Sequence, residues 1–446
     1  MKERRRLEER PERSDQSRGR RRHRATEPAE RSEAMKTVTT TADRQDERLQ
    51  DRAGLAGAVT DVIERARGGD LGVIPVVVGL VVIWTVLQVL NPIFLSSANL
   101  VNLTLESAAV GIIALGVVCV LLVGQIDLSV GSVSGLSGAV LAVLFVSEGL
   151  PVWLAIAASV LMGAAVGWLY GQLFNRFGVP SFVITLAGLL GFLGLQLYVL
   201  GAKGSINLPF DSGLVNFAQL DFVPAWLSYT FAVVAAVWLF ASGFLHAQQR
   251  RKAGLSARTV TALAVRSAAL LVVLAFVVWY LGQTRGVGWM FVFFVALVLI
   301  MHYLLSRTKW GRAVYAVGGN VEAARRAGIN VRAIYTSVFV LCSTFAAVGG
   351  ILAAARLAAA NQSSGGGDVN LNAIAAAVIG GTSLFGGRGT AFGALLGVIV
   401  IQSISSGLTL LNLDSSIRFV VTGVVLLLAV VVDSVSRRSR TSHGRA

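Results

Sequence analysis

The stretch GQIDLSVGSVSGLSG occupies residues 124–138 and separates two apolar runs, SAAVGIIALGVVCVLLV before it and AVLAVLF after it. An ionised aspartate in the middle of a membrane-spanning helix costs roughly 2.5–3.5 kcal/mol on insertion scales. Asp127 therefore needs a partner or a function, and the glycines and hydroxyl groups around it favour irregular chain. The stretch predicts two apolar helices with a break between them, at 124–132.

The whole chain has the composition of a membrane protein. Of its 446 residues, 54% are hydrophobic and only 14% are charged, whereas soluble domains have about 25% charged residues. Apolar stretches such as 73–90, 226–245 and 420–432 approach the ~20 residues that cross a bilayer as a helix. Small residues one turn apart, such as Gly131 and Gly135, predict close helix packing. The predicted fold is an all-α polytopic membrane protein.

The positions of Lys and Arg predict the topology, because cytoplasmic loops carry an excess of them. The basic segments are the tail before residue 70, Arg176, 248–258, 307–332 and 436–440. The apolar runs between them predict about twelve spans with both termini in the cytoplasm. These spans lie at 72–90, 104–124, 128–147, 151–173, 179–201, 224–246, 264–281, 288–306, 333–355, 373–386, 390–411 and 418–433.

Three regions follow from this topology: a disordered basic cytoplasmic tail at 1–70, a transmembrane domain at 71–435 and a basic cytoplasmic tail at 436–446. The first tail holds about half of the 39 Lys and Arg residues of the chain. A nucleic-acid-binding arm and a solvated extension near anionic lipid are both compatible with this charge, and we favour the second. Met35 is an alternative start, which would leave residues 1–34 outside the mature protein.

A second polar, glycine-rich stretch, IGGTSLFGGRGT at 379–390, follows an apolar run that is short for a membrane crossing. Short, glycine-interrupted apolar segments indicate broken or re-entrant helices that line a transport path. We therefore expect a second break near 372–390. The candidate substrate-path residues in the two stretches are Asp127, Ser129, Gly131, Ser132, Gly380, Gly381, Thr382 and Ser383.

Two roles for Asp127 stay open at this stage. Its carboxylate, or the Ser129 hydroxyl group, can cap a helix that begins near Val130 and so only position the chain. Alternatively, the half-helix end offers hydrogen-bonding groups to a small hydroxylated solute. The spacing of the residues does not separate these two roles.

Nothing in the sequence indicates an enzyme. The phosphate-binding pattern GxxxxGK[ST] is absent, so we expect no ATP site on this chain. The four histidines show no metal-ligand spacing, and Cys119 and Cys342 lie inside apolar runs, as buried thiols would. We expect Glu106 and Arg356, near outer membrane ends, to be interfacial or paired.

The segment 311–335, which contains AVGGNVEAARRAGINV at 316–331, has a different character. Its charge places it in the cytoplasm, between two spans. The sequence predicts a short helix with Asn320 as its N-cap, Glu322 in the first turn and Gly328 at its end. Such a helix suits the transmission of force from a soluble partner, although a simple interfacial helix fits the pattern as well.

These motifs resemble the permease subunits of bacterial ATP-binding-cassette importers for monosaccharides, of the ribose, galactose and xylose group. The resemblance covers nearly all of 72–435. It is carried by QIDLSVGS (125–132), VPSFVITLAG (179–188), AVGGNVEAARRAGINV (316–331), LNAIAAAVIGGTSLFGGRGT (371–390) and VVTGVVLLLAVVVDS (420–434). The chain also has an additional pair of apolar runs around 224–281, which xylose-type members have and shorter members lack.

The resemblance implies an importer subunit with partners. It implies a homodimer in the bacterial cell membrane, a cytoplasmic ATPase with two nucleotide-binding domains that holds ATP and Mg²⁺, and an extracytoplasmic sugar-binding protein. No cofactor is expected on this chain, and its other contacts would be the monosaccharide and membrane lipid, with no nucleic acid. Segment 311–332 would be the loop that docks on the ATPase, through Gly319, Asn320, Glu322, Ala323, Ala324 and Gly328.

One departure and one alternative accompany this interpretation. Many relatives have two acidic residues where this chain has Val321 and Glu322, so a salt bridge there would depend on Glu322 alone. The alternative function is a secondary transporter of a small polar solute, driven by an ion gradient. That class needs charged residues inside several spans, and only Asp127 is a good candidate.

Overall fold

The computed structural model describes residues 74–253 and 257–414, together with 416, 417, 419–424, 427 and 431. The tails predicted at 1–70 and 436–446 lie outside the described residues, as does half of the span predicted at 418–433. The boundaries of the three regions therefore stay predictions.

The described chain is almost entirely helical, as the composition predicts. In chain order, the α-helices are α1 Ile74–Leu90, α2 Ser97–Leu122, α3 Val130–Ala142, α4 Val152–Phe177, α5 Ser181–Leu200, α6 Gly213–Gln219, α7 Ala225–Lys252, α8 Val260–Leu281, α9 Trp289–Arg307, α10 Lys309–Gly319, α11 Val321–Arg326, α12 Val331–Leu357, α13 Gly367–Ile379 and α14 Ala391–Leu410. A π-helical turn, Val143–Ser147, extends α3, and a 3₁₀ turn, Gly201–Lys203, follows α5.

Nine helices among the described residues are long and apolar enough to cross a membrane. Two shorter apolar helices, Pro75–Leu90 and Asp368–Ile379, correspond to the spans predicted at 72–90 and 373–386. The all-α polytopic class is thus confirmed, while the count of twelve stays a prediction. The span predicted at 373–386 ends at Ile379, because irregular chain with left-handed glycines such as Gly381 follows it.

The core of the bundle consists of α2, α3, α12 and α14, surrounded by α4, α5 and α13. Of the residues in the most apolar 18-residue stretch of each helix, 89% are buried in α2 and 11% in α8. The helices α7 and α8 pack mainly on each other at the edge, where exposed valines and aromatics such as Trp238 and Phe276 suit contact with lipid.

Close backbone approach explains why glycines occur in these core helices. A side chain at Gly350 of α12 would overlap the carbonyl oxygen of Ser134 in α3, and one at Gly397 of α14 would overlap that of Ala376 in α13. Small residues at such crossings let two backbones touch without an intervening side chain. The glycine spacing noted in the sequence is therefore a packing feature of the core.

A short two-stranded β-sheet lies at one end of the bundle. Strands β1 Ser205–Asn207 and β2 Ala359–Asn361 form an antiparallel pair in which Ile206 lies opposite Ala360. In α5, the Nε2 group of Gln196 donates hydrogen bonds to the carbonyl oxygens of Asn361 and Ser364, at 2.9 Å each. The chain that follows β2 is thus fixed to the bundle on its way to α13.

Candidate functional site

Asp127 lies in the break between α2 and α3 that the sequence predicts. It is only 1% exposed, and its Oδ1 accepts hydrogen bonds from the backbone N–H group and the hydroxyl group of Ser129, at 2.8 and 2.7 Å. The second oxygen, Oδ2, is buried and accepts no hydrogen bond of ordinary geometry from the described residues. The carboxylate thus ties down the residue that precedes the first turn of α3.

The capping scheme differs in detail from the sequence-based expectation. The helix does begin at Val130, with Ser129 as N-cap, but the side chain of Ser129 makes no cap bond to α3. Its hydroxyl group donates to Asp127 and accepts from the Tyr170 hydroxyl group of α4, at 2.8 Å. The three side chains form a buried chain of hydrogen bonds that links the break to α4. The sequence around Tyr170 contains no motif that would have predicted this role.

Asp127 is level with the middle of α12. The Cys342 thiol, which belongs to the twelfth residue of that 27-residue helix, interacts electrostatically with the carboxyl group. Farther along, the Ser137 hydroxyl group of α3 donates to the carbonyl oxygen of Ala347, at 3.0 Å. Helix α3 therefore starts halfway along the bundle, and Cys119 and Cys342 are both buried and free, as expected.

A second segment enters the bundle beside α3, at residues 358–366. Ala360 lies against Gly138, and the Ser364 carbonyl group lies against Gly135. A side chain at Gly131 would meet the carbonyl oxygen of Gly365 at 2.8 Å. The chain thus runs back along α3 towards its first turn, where α13 begins.

Asn370 of α13 connects the two entering segments directly. Its Nδ2 group donates to the carbonyl oxygen of Leu128, at 2.7 Å, while its Oδ1 is buried without a partner among the described residues. The N-terminal ends of α3 and α13 therefore meet beside Asp127. Helix N-termini carry partial positive charge, which favours a carboxylate at this point. The polar stretch NQSSGGGD at 361–368 could have indicated that the chain enters the bundle here. This second entering segment was not predicted from the sequence.

Gly380, Gly381, Thr382 and Ser383 occupy a different place. Their backbone N–H groups donate to carbonyl oxygens of α13 and of Arg388, so these residues form the turn at the end of α13. Thr382 is buried, and a side chain at Gly380 would overlap the carbonyl oxygen of Gly393 in α14. The irregular chain expected near 372–390 is present at 380–390, but the structure does not bring these four residues to the Asp127 carboxyl group.

Ser129, Gly131 and Ser132, the other candidates of the first stretch, are buried beside Asp127. The Ser132 hydroxyl group donates to the carbonyl oxygen of Ser129, at 2.9 Å. In this conformation the hydroxyl groups are thus occupied by bonds within the subunit. The arrangement agrees with the positioning role for Asp127, and the path role stays a prediction.

The segment 309–328 forms two helices on the surface, of which the sequence predicts the second. Asn320 caps α11 by accepting a hydrogen bond from the N–H group of Ala323, at 2.9 Å, and Gly328 has a left-handed φ of 80°. Glu322 pairs with Arg325 at 2.6 Å on the exposed face. Of the six candidate residues in this segment, Ala324 alone is buried, so it anchors α11 to the bundle.

Helix α10, which was not predicted from the sequence, connects this surface to the core. Val314 and Val317 are buried, and the Trp310 ring nitrogen donates to the Ser337 hydroxyl group of α12, at 2.9 Å. Alternation of apolar and polar residues at helical spacing over residues 309–319 is the signal that would have indicated it. Helices α10 and α11 thus form one exposed surface, and their buried side chains attach it to the bundle.

Glu106 and Arg356 form the ion pair that the sequence left open. Nη2 of Arg356 in α12 lies 2.9 Å from Oε1 of Glu106 in α2, and both side chains are about a third exposed. Gln402 of α14 donates to the backbone carbonyl group of Glu106, at 3.1 Å. These contacts join three core helices near one end. No cluster of metal ligands occurs among the described residues.

Comparison with known proteins gives consistent matches over most of the chain. The family described as branched-chain amino acid transport system / permease component matches residues 99–430. The xylose transport system permease protein XylH of Escherichia coli K12 is 34% identical over 345 residues, which are 77% of this chain and 87% of XylH.

Two further relatives agree with this result. The ribose import permease protein RbsC of the same strain is 32% identical over 80% of this chain and 92% of RbsC. XylH of Haemophilus influenzae Rd is 31% identical over 77% of this chain and 91% of that protein. No solved structure matches the chain.

These matches confirm the resemblance drawn from the motifs and the expectation of a transport subunit that is not itself an enzyme. The helices and the family together make the chain a multi-pass protein of the bacterial inner membrane. A permease of this kind works with an ATPase and with a substrate-binding protein. The chain belongs to the family of membrane permease components of ATP-binding-cassette importers.

Proposed function

We propose that this chain is the translocating subunit of an ATP-driven importer of a monosaccharide, with xylose or a related pentose as the substrate. The observation that carries the proposal is the 34% identity to a xylose permease over 87% of that relative's length. The peripheral pair α7 and α8 supports the xylose type, since the sequence resemblance assigns this pair to xylose-type members. The description of the matching family names branched-chain amino acids, which are therefore the second candidate substrate class.

The proposed assembly contains two copies of this chain. A two-fold axis would pair the two surfaces formed by α10 and α11 with the two nucleotide-binding domains of one ATPase, as symmetric oligomers require. ATP and Mg²⁺ would bind to the ATPase alone. An extracytoplasmic protein would deliver the sugar, and lipid would surround α7 and α8. We expect no nucleic-acid partner.

Both termini are proposed to lie in the cytoplasm. Arg325 and Arg326 are exposed on α11, and Arg250, Arg251 and Lys252 end α7. An excess of basic residues marks cytoplasmic loops. This orientation places β1, β2 and the Glu106–Arg356 pair at the outer face, where the sugar-binding protein would dock.

We propose that Gly319, Asn320, Glu322, Ala323 and Gly328 contact the ATPase. All five are exposed, and the cap at Asn320 fixes the direction of α11. Ala324 would act from below by holding the helix against the bundle. Glu322 is already paired with Arg325, so a bridge to the ATPase would have to share the carboxylate.

Loss of the cap gives a direct test of this surface. Asn320→Ala removes the acceptor for the Ala323 N–H group and should destabilise the short helix by about 1 kcal/mol. We expect weaker binding of the ATPase and about fivefold lower stimulated ATP hydrolysis in the complex, because a coupling free energy of about 1 kcal/mol corresponds to that factor.

The matched control is Ser212→Ala, which removes an equivalent side-chain cap from α6. Ser212 accepts a hydrogen bond from the N–H group of Val215, at 3.4 Å, and lies outside the segment 311–332. Similar losses of ATPase binding in both variants would contradict the assignment of α11 as the docking helix.

We propose that the solute passes where the N-terminal ends of α3 and α13 meet, beside Asp127, Ser129, Gly131 and Ser132. Irregular chain at membrane depth is tolerated only inside protein or along a cavity, and half-helix ends in transporters adjoin substrate. Thr382, Ser383 and the adjacent Gly380 and Gly381 would line the inner exit. The burial of Asp127, Ser129 and Ser132 corresponds to a closed conformation.

The substrate class is tested in proteoliposomes that contain the permease, its ATPase and the binding protein encoded beside it. Labelled xylose, ribose, galactose and leucine are supplied outside, with ATP inside. We expect accumulation of a pentose. Accumulation of leucine with no sugar uptake would replace the proposed substrate, and uptake driven by a proton or sodium gradient without ATP would favour a secondary transporter.

A further inference from the structure

Three separate segments meet at one end of the bundle with their backbones in direct contact. They are the end of α2 at Leu122 and Gly124, the end of α10 at Gly318, and the turn between α13 and α14 at Gly386 and Gly387. We call this contact the glycine junction. Its members come from parts of the sequence that are far apart, and none of the motifs described above includes all of them.

The contacts in the junction are hydrogen bonds and direct van der Waals contacts. The Gly387 N–H group donates to the carbonyl oxygen of Leu122, at 2.8 Å. A side chain at Gly318 would overlap that same carbonyl oxygen and would lie 2.6 Å from the Gly387 nitrogen. Gly386 packs between Gly318 and Gly124, with the added atom 2.8 Å from the Gly318 carbonyl oxygen and 2.9 Å from the Gly124 nitrogen.

Both the conformation and the space in the junction require glycine. Gly386 and Gly387 have φ angles of 85° and 74°, which side-chain-bearing residues rarely adopt. Any side chain at Gly318 would push α10 away from the other two segments. The sequence at this point therefore keeps three backbones in contact.

A side chain reinforces the connection from α10. The Tyr315 hydroxyl group donates to the carbonyl oxygen of Gly389, at 2.7 Å. A tyrosine hydroxyl group is ordinarily protonated at neutral pH, and burial raises the pKa of this one further, so it can donate this hydrogen bond. Helix α10 thus holds the turn at two points, Gly387 through packing and Gly389 through a hydrogen bond.

The glycine junction connects the surface helix α10 to both segments that enter the bundle. Leu122 leads directly into the extended chain that carries Asp127, and the turn at 380–390 directly follows α13, whose first residues meet α3. A displacement of α10 therefore reaches both segments through stiff contacts and without a flexible side chain.

We infer that the glycine junction transmits the movement of α10 and α11 to the two broken segments, and that Gly318 and Tyr315 are the positioning residues of this link. The inference rests on the proposed function, in which a partner ATPase moves α10 and α11. It adds a specific pair of residues that should be dispensable for ATP hydrolysis and required for transport.

The test compares ATP hydrolysis with xylose uptake in the reconstituted complex. In Gly318→Ala the added methyl group separates the three backbones, and in Tyr315→Phe only the hydroxyl group is lost. We expect hydrolysis stimulated by the binding protein to stay within about twofold of the original while uptake falls about tenfold, so that more ATP is consumed per sugar.

Gly194→Ala is the matched control, because a side chain there would meet nothing within 4 Å. It should leave both activities unchanged. An unchanged ratio of ATP to sugar in both junction variants would overturn the inference, as would parallel losses of hydrolysis and uptake, which indicate a defect in docking or folding.

Hydrogen exchange of the permease alone, in lipid nanodiscs, tests the same link without a substrate. Gly318→Ala should speed amide exchange about tenfold in 122–129 and in 383–390, since opening of the junction exposes both. A change confined to 309–328 would overturn the inference. This readout remains valid if the complex proves not to import xylose, so failure of the substrate proposal and failure of the junction are distinguishable.

Discussion

Asp127→Ala is expected to reduce ATP-driven uptake in the reconstituted complex to background. The substitution removes the acceptor for both donors of Ser129, and a buried N–H group left without a partner costs about 1–3 kcal/mol. The break between α2 and α3 then loses the carboxylate that the N-terminal ends of α3 and α13 face. The measurement is uptake of labelled sugar, with co-purification of the ATPase as the check on assembly.

Two further variants separate the effects of charge and structure. Asp127→Asn keeps an oxygen for Ser129 and removes the charge, so a loss of uptake in this variant assigns the effect to the carboxylate. Glu148→Ala removes an exposed carboxylate at the opposite end of the α3 segment, after the π-helical turn, and should leave uptake unchanged. Full uptake by an assembled Asp127→Ala complex would show that Asp127 is not essential to the path.

Gly350→Leu is expected to prevent correct folding of the core. The side chain would be forced into the Ser134 carbonyl group, where α12 crosses α3 with no space between the backbones. Overpacking of a core typically costs about 1–3 kcal/mol, and a displaced backbone adds to this. We expect little folded protein by size-exclusion chromatography in detergent, and a lower unfolding temperature for what remains.

Gly191→Leu is the matched control for that result. It adds the same side chain to an exposed position of α5, where a new atom would meet nothing within 4 Å. We expect the yield and unfolding temperature of the original protein. Equal behaviour of the two variants would mean that the crossing of α3 and α12 tolerates separation, contrary to the packing described above.

The break at Asp127 could be predicted from sequence because a single ionisable residue in an apolar run has few acceptable environments. Glu106 and Arg356 were noticed for the same reason. In contrast, the more distant members of the site come from other helices. Tyr170 lies in an apolar run with no periodic signal of its own, and only the packing of α4 against α12 brings its hydroxyl group to Ser129.

The second entering segment was harder to predict. The sequence NQSSGGGD reads as a polar loop outside the membrane, and hydropathy contains no information on whether such a loop folds back into the bundle. The segment 379–390 follows an apolar run, so the second break was predicted there instead. Its glycines serve the close contact with α14 and with α10, which depends on tertiary structure.

The helix α11 was predictable in detail because caps are local. Asn320 and Gly328 act within a few residues of themselves, so their roles follow from the sequence alone. Helix α10 was not identified, although its spacing is amphipathic, and the glycine junction could not have been inferred at all. Glycines from three segments become neighbours only after the bundle is assembled.

ATP dependence is the most direct test of the central claim, that this chain forms the membrane conduit and a separate ATPase supplies the energy. The measurement is sugar accumulation by proteoliposomes loaded with ATP, with and without the ATPase, in the presence of the binding protein. The account predicts accumulation only when the ATPase is present, and no ATP hydrolysis by the permease alone. Concentrative accumulation by the permease without the ATPase would contradict it.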